Sequence, residues 1–222
     1  MAIICRDHRL LVLQTPHTGS SSLGRALRQQ LGCAPLLPDY LRDDAGRVIL
    51  RRKHQTLPQL IAAGVITPDE RAQLFVVAGV RNPFDIVFTQ YARGFTVDDG
   101  DDGDDVSARA DLSPEGFERF VKRRYATGLL LRLAGRKATV PADYAEGVDF
   151  LIRFESMQRD LDAALQRAGV SQRVELPHVN ATPARQGRSY RDLTTSRTRA
   201  MIERAWAVEL ASWGYSFDGQ EG

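Results

Sequence analysis

The stretch LLVLQTPHTGSSSL, residues 10–23, constrains the fold more than any other part of the chain. Leu10–Leu13 is an unbroken aliphatic run, the pattern of a strand covered on both faces. Pro16 ends it, small hydroxyl-bearing residues follow, and helix formers then run over Ser20–Leu31 until Gly32 closes them. Strand, tight turn and helix in that order form the first half of a βαβ unit. A second apolar run, LFVVAGV at 74–80, leads into a helix that Asn82-Pro83 opens and that continues to about Arg93. A third, DFLIRF at 149–154, precedes a helix capped by Ser156 and ended by Gly169. The alternation predicts an α/β fold: a single three-layer domain over 1–222 with a central parallel sheet flanked by helices.

The remaining signals fill in this frame. Thr56 caps a short helix over 57–63, ended by Gly64. Ser113-Pro114-Glu115 starts a helix towards Leu133, and a last helix runs over 195–212, with Trp206 and Trp213 on one face as core. The run DDGDDGDD at 98–105 puts repelling carboxylates among glycines, so 98–112 reads as a mobile acidic loop; its spacing does not fit a calcium loop. A chain of 222 residues with 43% hydrophobic residues is long enough for a real core. A net charge of +2 gives no argument for nucleic acid. The two cysteines, Cys5 and Cys33, have no metal-ligand spacing, and neither a metal nor a disulfide framework is expected. Arg6, Asp7, His8 and Arg9 interrupt any secretory pattern, and no apolar run approaches a membrane span, so the expected location is the cytoplasm.

In a parallel sheet, ligands sit beyond the carboxyl ends of the strands, where the turn 15–22 falls. Gly19 allows close backbone approach to an anion, and amides at the start of the helix point towards it. Thr18, Ser20, Ser21 and Ser22 add hydroxyls. Read alone, the turn is equally a plain strand-to-helix connection with a serine cap. It is not the G-x-x-x-x-G-K-[ST] loop of nucleotide triphosphatases: Gly19 and Gly24 are correctly spaced, but Arg25 and Ala26 stand where Lys and Ser or Thr would hold phosphate and metal.

The segment after the second run is more specific. In VVAGVRNPFDIVFTQYAR, Arg81 ends the strand, Asn82, Pro83 and Asp85 follow, and Thr89 lies two helical turns further on. This resembles the 3′-phosphate motif of PAPS-dependent sulfotransferases, Arg-Asn-Pro-x-Asp with a later serine, for which Thr89 keeps a hydroxyl. The opening turn then resembles that family's 5′-phosphosulfate loop, Pro-Lys-x-Gly followed by hydroxyl residues, with His17 in place of lysine. RKHQTLPQL, DFLIRFESMQRDLDAAL, HVNAT and ELASWGYSF are similar to further segments of bacterial and carbohydrate-type members, so the resemblance covers most of the chain.

The resemblance implies transfer of a sulfuryl group from PAPS to a hydroxyl of a small-molecule or carbohydrate acceptor. It implies donor contacts from Pro16, His17, Thr18, Gly19, Ser20, Ser21 and Ser22 to the phosphosulfate and from Arg81 and Thr89 to the 3′-phosphate. Arg185 and Arg188, with Arg191 in a basic patch near Gly187, would close over the nucleotide; a solvated face is the alternative. Thr89 has the alternative of bonding its own helix backbone. His54, matching a Lys-His segment, is the implied base, and His17 the implied cation at the leaving phosphate, with Lys53 as a substitute. Glu155, His178 and Asn180 are weaker site candidates. Two further readings stay open: a nucleotide-dependent kinase, against which the missing Walker lysine counts, and a non-catalytic homologue that binds PAPS or its bisphosphate product, which His17 in place of lysine keeps open.

Overall fold

The computed structural model describes residues 2–51, 53–94, 111–133, 144–177 and 185–220, with backbone alone for 126–133 and 220. The elements are β1 (Ile3–Cys5), β2 (Leu10–Leu13), α1 (Ser20–Leu31), β3 (Ala34–Pro35), β4 (Leu41–Arg42), β5 (Val48–Leu50), α2 (Leu57–Ala62), α3 (Pro68–Gln73) and β6 (Phe75–Val80). They continue as α4 (Pro83–Ala92), α5 (Pro114–Leu133), β7 (Phe150–Arg153), α6 (Met157–Arg167), α7 (Ser196–Ala205), α8 (Ala207–Trp213), β8 (Tyr215–Ser216) and β9 (Gly219–Gln220). The chain divides into two compact units, one of Met1–Val80 with Pro141–Val179, the other of Arg81–Val140 with Asn180–Gly222.

The first unit holds a five-stranded sheet in the order β3-β1-β2-β6-β7. The three expected strands, β2, β6 and β7, are parallel neighbours. The sheet as a whole is mixed, however, because β1 runs antiparallel to both β2 and β3. The cause is the connection: β1 passes to β2 through one short 3-10 turn, Arg6–His8, with Arg9 in the left-handed region. A parallel pair needs a crossover of a dozen residues or more, so a link this short forces an antiparallel pair.

Alternation within the apolar runs covers both faces of the sheet. Leu10, Val12, Val77 and Ile152 pack with Leu23 and Leu27 of α1 and Leu161 and Leu165 of α6. Leu11, Leu13, Val76 and Ala78 pack on the opposite face with Leu57, Leu60 and Ile66. Helix α1 starts and stops at glycines with positive φ, Gly19 and Gly32. Thr56 caps α2 through a capping box with Gln59. Ser156 stands at the N-cap of α6 but makes no side-chain hydrogen bond there, so the expected serine cap is absent.

The register of β1 on β3, Ile3 opposite Pro35 and Ile4 opposite Ala34, brings Cys5 opposite Cys33. Their Cα atoms are 4.4 Å apart and the sulfurs form a disulfide. This corrects the expectation of two unlinked thiols. The cause is a strand pairing between segments that α1 separates in sequence.

The second unit is helical, with the hairpin β8–β9. Every residue of α4 is buried. Phe84 packs against Tyr190 and Phe217, and Phe88 against Phe117. The expected last helix is two helices, α7 and α8, broken at Trp206 with φ −115° and ψ 23°. Trp206 is buried and its Nε1 donates to the Tyr125 hydroxyl at 2.7 Å, while Val208 turns outward and Glu209 inward. The break turns the apolar face of the segment to follow the core. No helix among the described residues is long and apolar enough to cross a membrane.

Candidate functional site

Within the first unit, the turn after β2 lies at the carboxyl ends of parallel strands. Thr15, Pro16, Thr18 and Ser20 are buried, and Ser21 is exposed. The Thr18 hydroxyl donates to the Thr15 carbonyl at 2.9 Å, which closes the turn on itself. A Cβ on Gly79 would lie 2.7 Å from Thr18 Oγ1, so only glycine at this point of β6 lets the turn sit over the strand. Gly19 has φ 72°, and a Cβ there would lie 2.5 Å from Met157 Cε and 3.1 Å from the Phe154 ring. The backbone therefore needs glycine at position 19 on two counts, conformation and space. The Ser22 and Leu23 amides donate to the Gly19 carbonyl, which leaves Ser20 and Ser21 as the leading amides of α1. The first turn of α1 carries no acidic side chain, so nothing on the helix itself opposes an anion at its positive end.

His54 belongs to the same unit and reaches this turn. Its Nδ1 lies 2.9 Å from the Gln14 carbonyl oxygen, next to Thr15. A carbonyl can only accept, so Nδ1 carries a proton. Gln14 is a junction: its carbonyl holds His54 and its side-chain amide donates to the carbonyl of Ser20, the first residue of α1. The Tyr144 hydroxyl, almost wholly buried, donates to the His54 backbone carbonyl at 2.9 Å. Gln14 and Tyr144 were not singled out in the sequence; the one legible sign was a polar residue closing an aliphatic run.

Backbone strain falls on the same residues. Among the described non-glycine residues, positive φ occurs at Arg9, His17, His54 and Gln186. Left-handed backbone costs a non-glycine residue of order 1–3 kcal/mol and persists where its surroundings enforce it. Two of these four are the candidate catalytic histidines, and Gln186 adjoins Arg185.

In the second unit, Asn82 caps α4, accepting from the Phe84 amide at 3.0 Å, and its side chain donates to the Ser216 carbonyl. Asp85, in the first turn of α4, accepts from two arginines. Arg81 approaches Oδ2 through Nε at 2.8 Å and a terminal nitrogen at 2.5 Å. Arg185 approaches Oδ1 at 2.5 Å, and its guanidinium lies 4.9 Å from the centre of the Phe88 ring. Thr89 is buried and donates its hydroxyl to the Asp85 carbonyl at 2.8 Å, the backbone-bonded alternative noted above. Arg188 donates to the Leu112 carbonyl, and the Arg191 guanidinium lies over Tyr190. The three arginines of the basic patch thus have separate partners. Glu155 is exposed. His178, Asn180 and most of the acidic segment 98–112 lie outside the described residues.

No protein-family model, curated protein or solved structure matches this chain. The reading of the site therefore rests on its own chemistry. One unit offers a glycine-dependent turn at the start of α1 beside a histidine whose Nδ1 lies on a backbone carbonyl. The other offers two arginines held on one carboxylate. Among the described residues, no group of three or more His, Cys, Asp or Glu side chains is placed to hold a metal ion.

Proposed function

We propose that the chain is a sulfotransferase that moves a sulfuryl group from PAPS to a hydroxyl of a sugar, lipid or small metabolite. The observation that carries this reading is His54 Nδ1 on the Gln14 carbonyl, which ties a histidine to the start of the turn 16–22. The donor, when bound, supplies an activated sulfuryl group on a phosphate leaving group. The residues fit such a group: the turn needs glycine at position 19 to pack, its helix presents amides with no carboxylate in its first turn, and Arg81 follows β6 directly.

His54 Nε2 takes the proton of the acceptor hydroxyl as its oxygen bonds to sulfur. The bond from sulfur to the bridging oxygen breaks in line, and its electron pair stays on the 5′-phosphate. His17, when protonated, stabilises that charge, a role in which it can also return a proton. Pro16, Thr18, Gly19, Ser20, Ser21 and Ser22 hold the phosphosulfate. Arg81, Arg185 and Arg188 are assigned to the nucleotide phosphates, Arg81 to the 3′-phosphate because a planar guanidinium suits two phosphate oxygens. The Thr89 hydroxyl joins them by releasing the Asp85 carbonyl.

The test follows sulfur-labelled PAPS with a panel of hydroxyl acceptors. Label appearing on an acceptor supports the reading. Tight binding of adenosine 3′,5′-bisphosphate with no release of label identifies a binding module. Equal affinity for the bisphosphate and AMP removes the assignment.

A further inference from the structure

Gly24 has the spacing of a phosphate-loop glycine in a chain that lacks the lysine of such a loop. The structure gives it a different use. Gly24 is buried inside α1, where glycine weakens a helix relative to alanine. A Cβ there would collide with the side-chain amide nitrogen of Gln14 and lie 2.5 Å from Ile3 Cδ1. The notch left by the missing Cβ admits the Gln14 amide to the Ser20 carbonyl, to which it donates at 2.5 Å. An α-helix directs that carbonyl at the Gly24 amide, and an oxygen with two lone pairs can accept from both donors.

Gln14 directly follows β2, and Ser20 opens α1, so this one bond spans the turn 15–19 and joins its two ends. Gln14 is buried, which shields the bond from competing water. The Thr18 hydroxyl on the Thr15 carbonyl closes the same turn from within. The Gln14 backbone carbonyl holds His54, so the residue that clips the turn also carries the candidate base.

We infer that Gln14 is a positioning residue: its side chain clips the ends of the turn together and sets the shape of the turn before the 5′-phosphosulfate of the donor arrives, with Gly24 as the notch that admits it. This rests on the sulfotransferase reading and deepens it. A turn already closed loses less conformational entropy when a ligand orders it. Without the clip, the amides of Ser20 and Ser21 at the head of α1 lose their tie to the end of β2.

The readout is the ratio of affinities for adenosine 3′,5′-bisphosphate and adenosine 3′-phosphate, measured by calorimetry on the full chain. This ratio isolates the 5′-phosphate, whereas a general loss of structure would weaken both nucleotides together. Gln14→Met keeps the length of the side chain and removes the donor. Its ratio should fall about 2–10-fold below the parent's, the worth of a neutral hydrogen bond. Gln14→Glu keeps the shape and makes the donor depend on pH: the ionised carboxyl cannot donate to Ser20, and the protonated one can. Its ratio should lie below that of Gln14→Met at pH 8 and rise above it as the carboxyl is protonated. Both variants keep the other titrating groups, His54 included, and both are read against the parent at each pH, so the ionisation of the phosphate cancels. A ratio in Gln14→Met equal to the parent's overturns the inference and leaves the donor reading standing; so does a Gln14→Glu ratio that never exceeds that of Gln14→Met, and this arm carries the test if the methionine variant does not fold. A parent protein that binds the two nucleotides equally overturns the inference and the donor reading together.

Discussion

The two histidines with positive φ carry the sharpest expectations at the scale of single residues. His54→Ala should lose about 10²–10⁴ in turnover, the usual worth of a general base. Nucleotide affinity should hold, because the base serves the acceptor; single-turnover kinetics with a binding titration separates the two. Turnover within a few-fold of the parent would move the role elsewhere. For His17 the expectation concerns pH. Lysine stays charged well above neutrality, whereas histidine has an ordinary pKa near 6.5, which bound phosphosulfate raises. Activity should fall as pH rises through that raised value. His17→Lys should extend the alkaline limb and His17→Ala should lose much of the rate at every pH. Rate profiles that coincide for His17→Ala and the parent reduce the histidine to a loop residue. Gly19→Ala is a structural counterpart. The left-handed backbone alone costs about 1–2 kcal/mol, and the clash with Met157 and Phe154 adds to it. Urea unfolding would measure the loss.

At the scale of elements, the contact between α5 and the junction of α7 with α8 is the most exposed to test. Burial is the main cause that pushes the Tyr125 hydroxyl above its ordinary pKa. The folded form therefore keeps its proton to higher pH than the unfolded chain does. Below the unfolded value, about 10, this group adds no pH dependence; above it the unfolded chain ionises first and stability falls as pH rises. Tyr125→Phe should flatten that alkaline limb. At neutral pH it should cost about 1–3 kcal/mol, because the buried Trp206 Nε1 loses its acceptor. An unchanged alkaline limb in the phenylalanine variant would show that Tyr125 does not set it. Local sequence also announced more than was taken from it: Thr67-Pro68-Asp69-Glu70 is a full capping box, and α3 begins on it.

For the whole molecule, the Cys5–Cys33 disulfide is the long-range tie within the first unit. It joins the end of β1 to the segment just after α1, the helix whose other end is the turn after β2. Closing a loop over a separation of 28 residues removes denatured-state entropy worth about 3–4 kcal/mol. Unfolding in oxidising and reducing buffer should differ by that amount, and Cys5→Ala with Cys33→Ala should remove the difference. Equal stability of the parent in both buffers would mean that the bond contributes nothing to folding.

Near-neighbour chemistry was sufficient for much of this protein. The apolar runs gave β2, β6 and β7 because an unalternated aliphatic segment needs cover on both faces. Gly32, Thr56 and Asn82-Pro83 marked helix ends because caps and left-handed turns are satisfied within a few residues. The turn between β2 and α1 and the place of Arg81 directly after β6 were visible for the same reason. What lay beyond reach depended on segments far apart in the chain. The antiparallel edge, the cysteine register, the break at Trp206, the His54 bond to Gln14 and the pairing of Arg185 with Asp85 each require two distant stretches to meet. No periodicity encodes such a meeting, since packing selects it from the whole set of competing contacts.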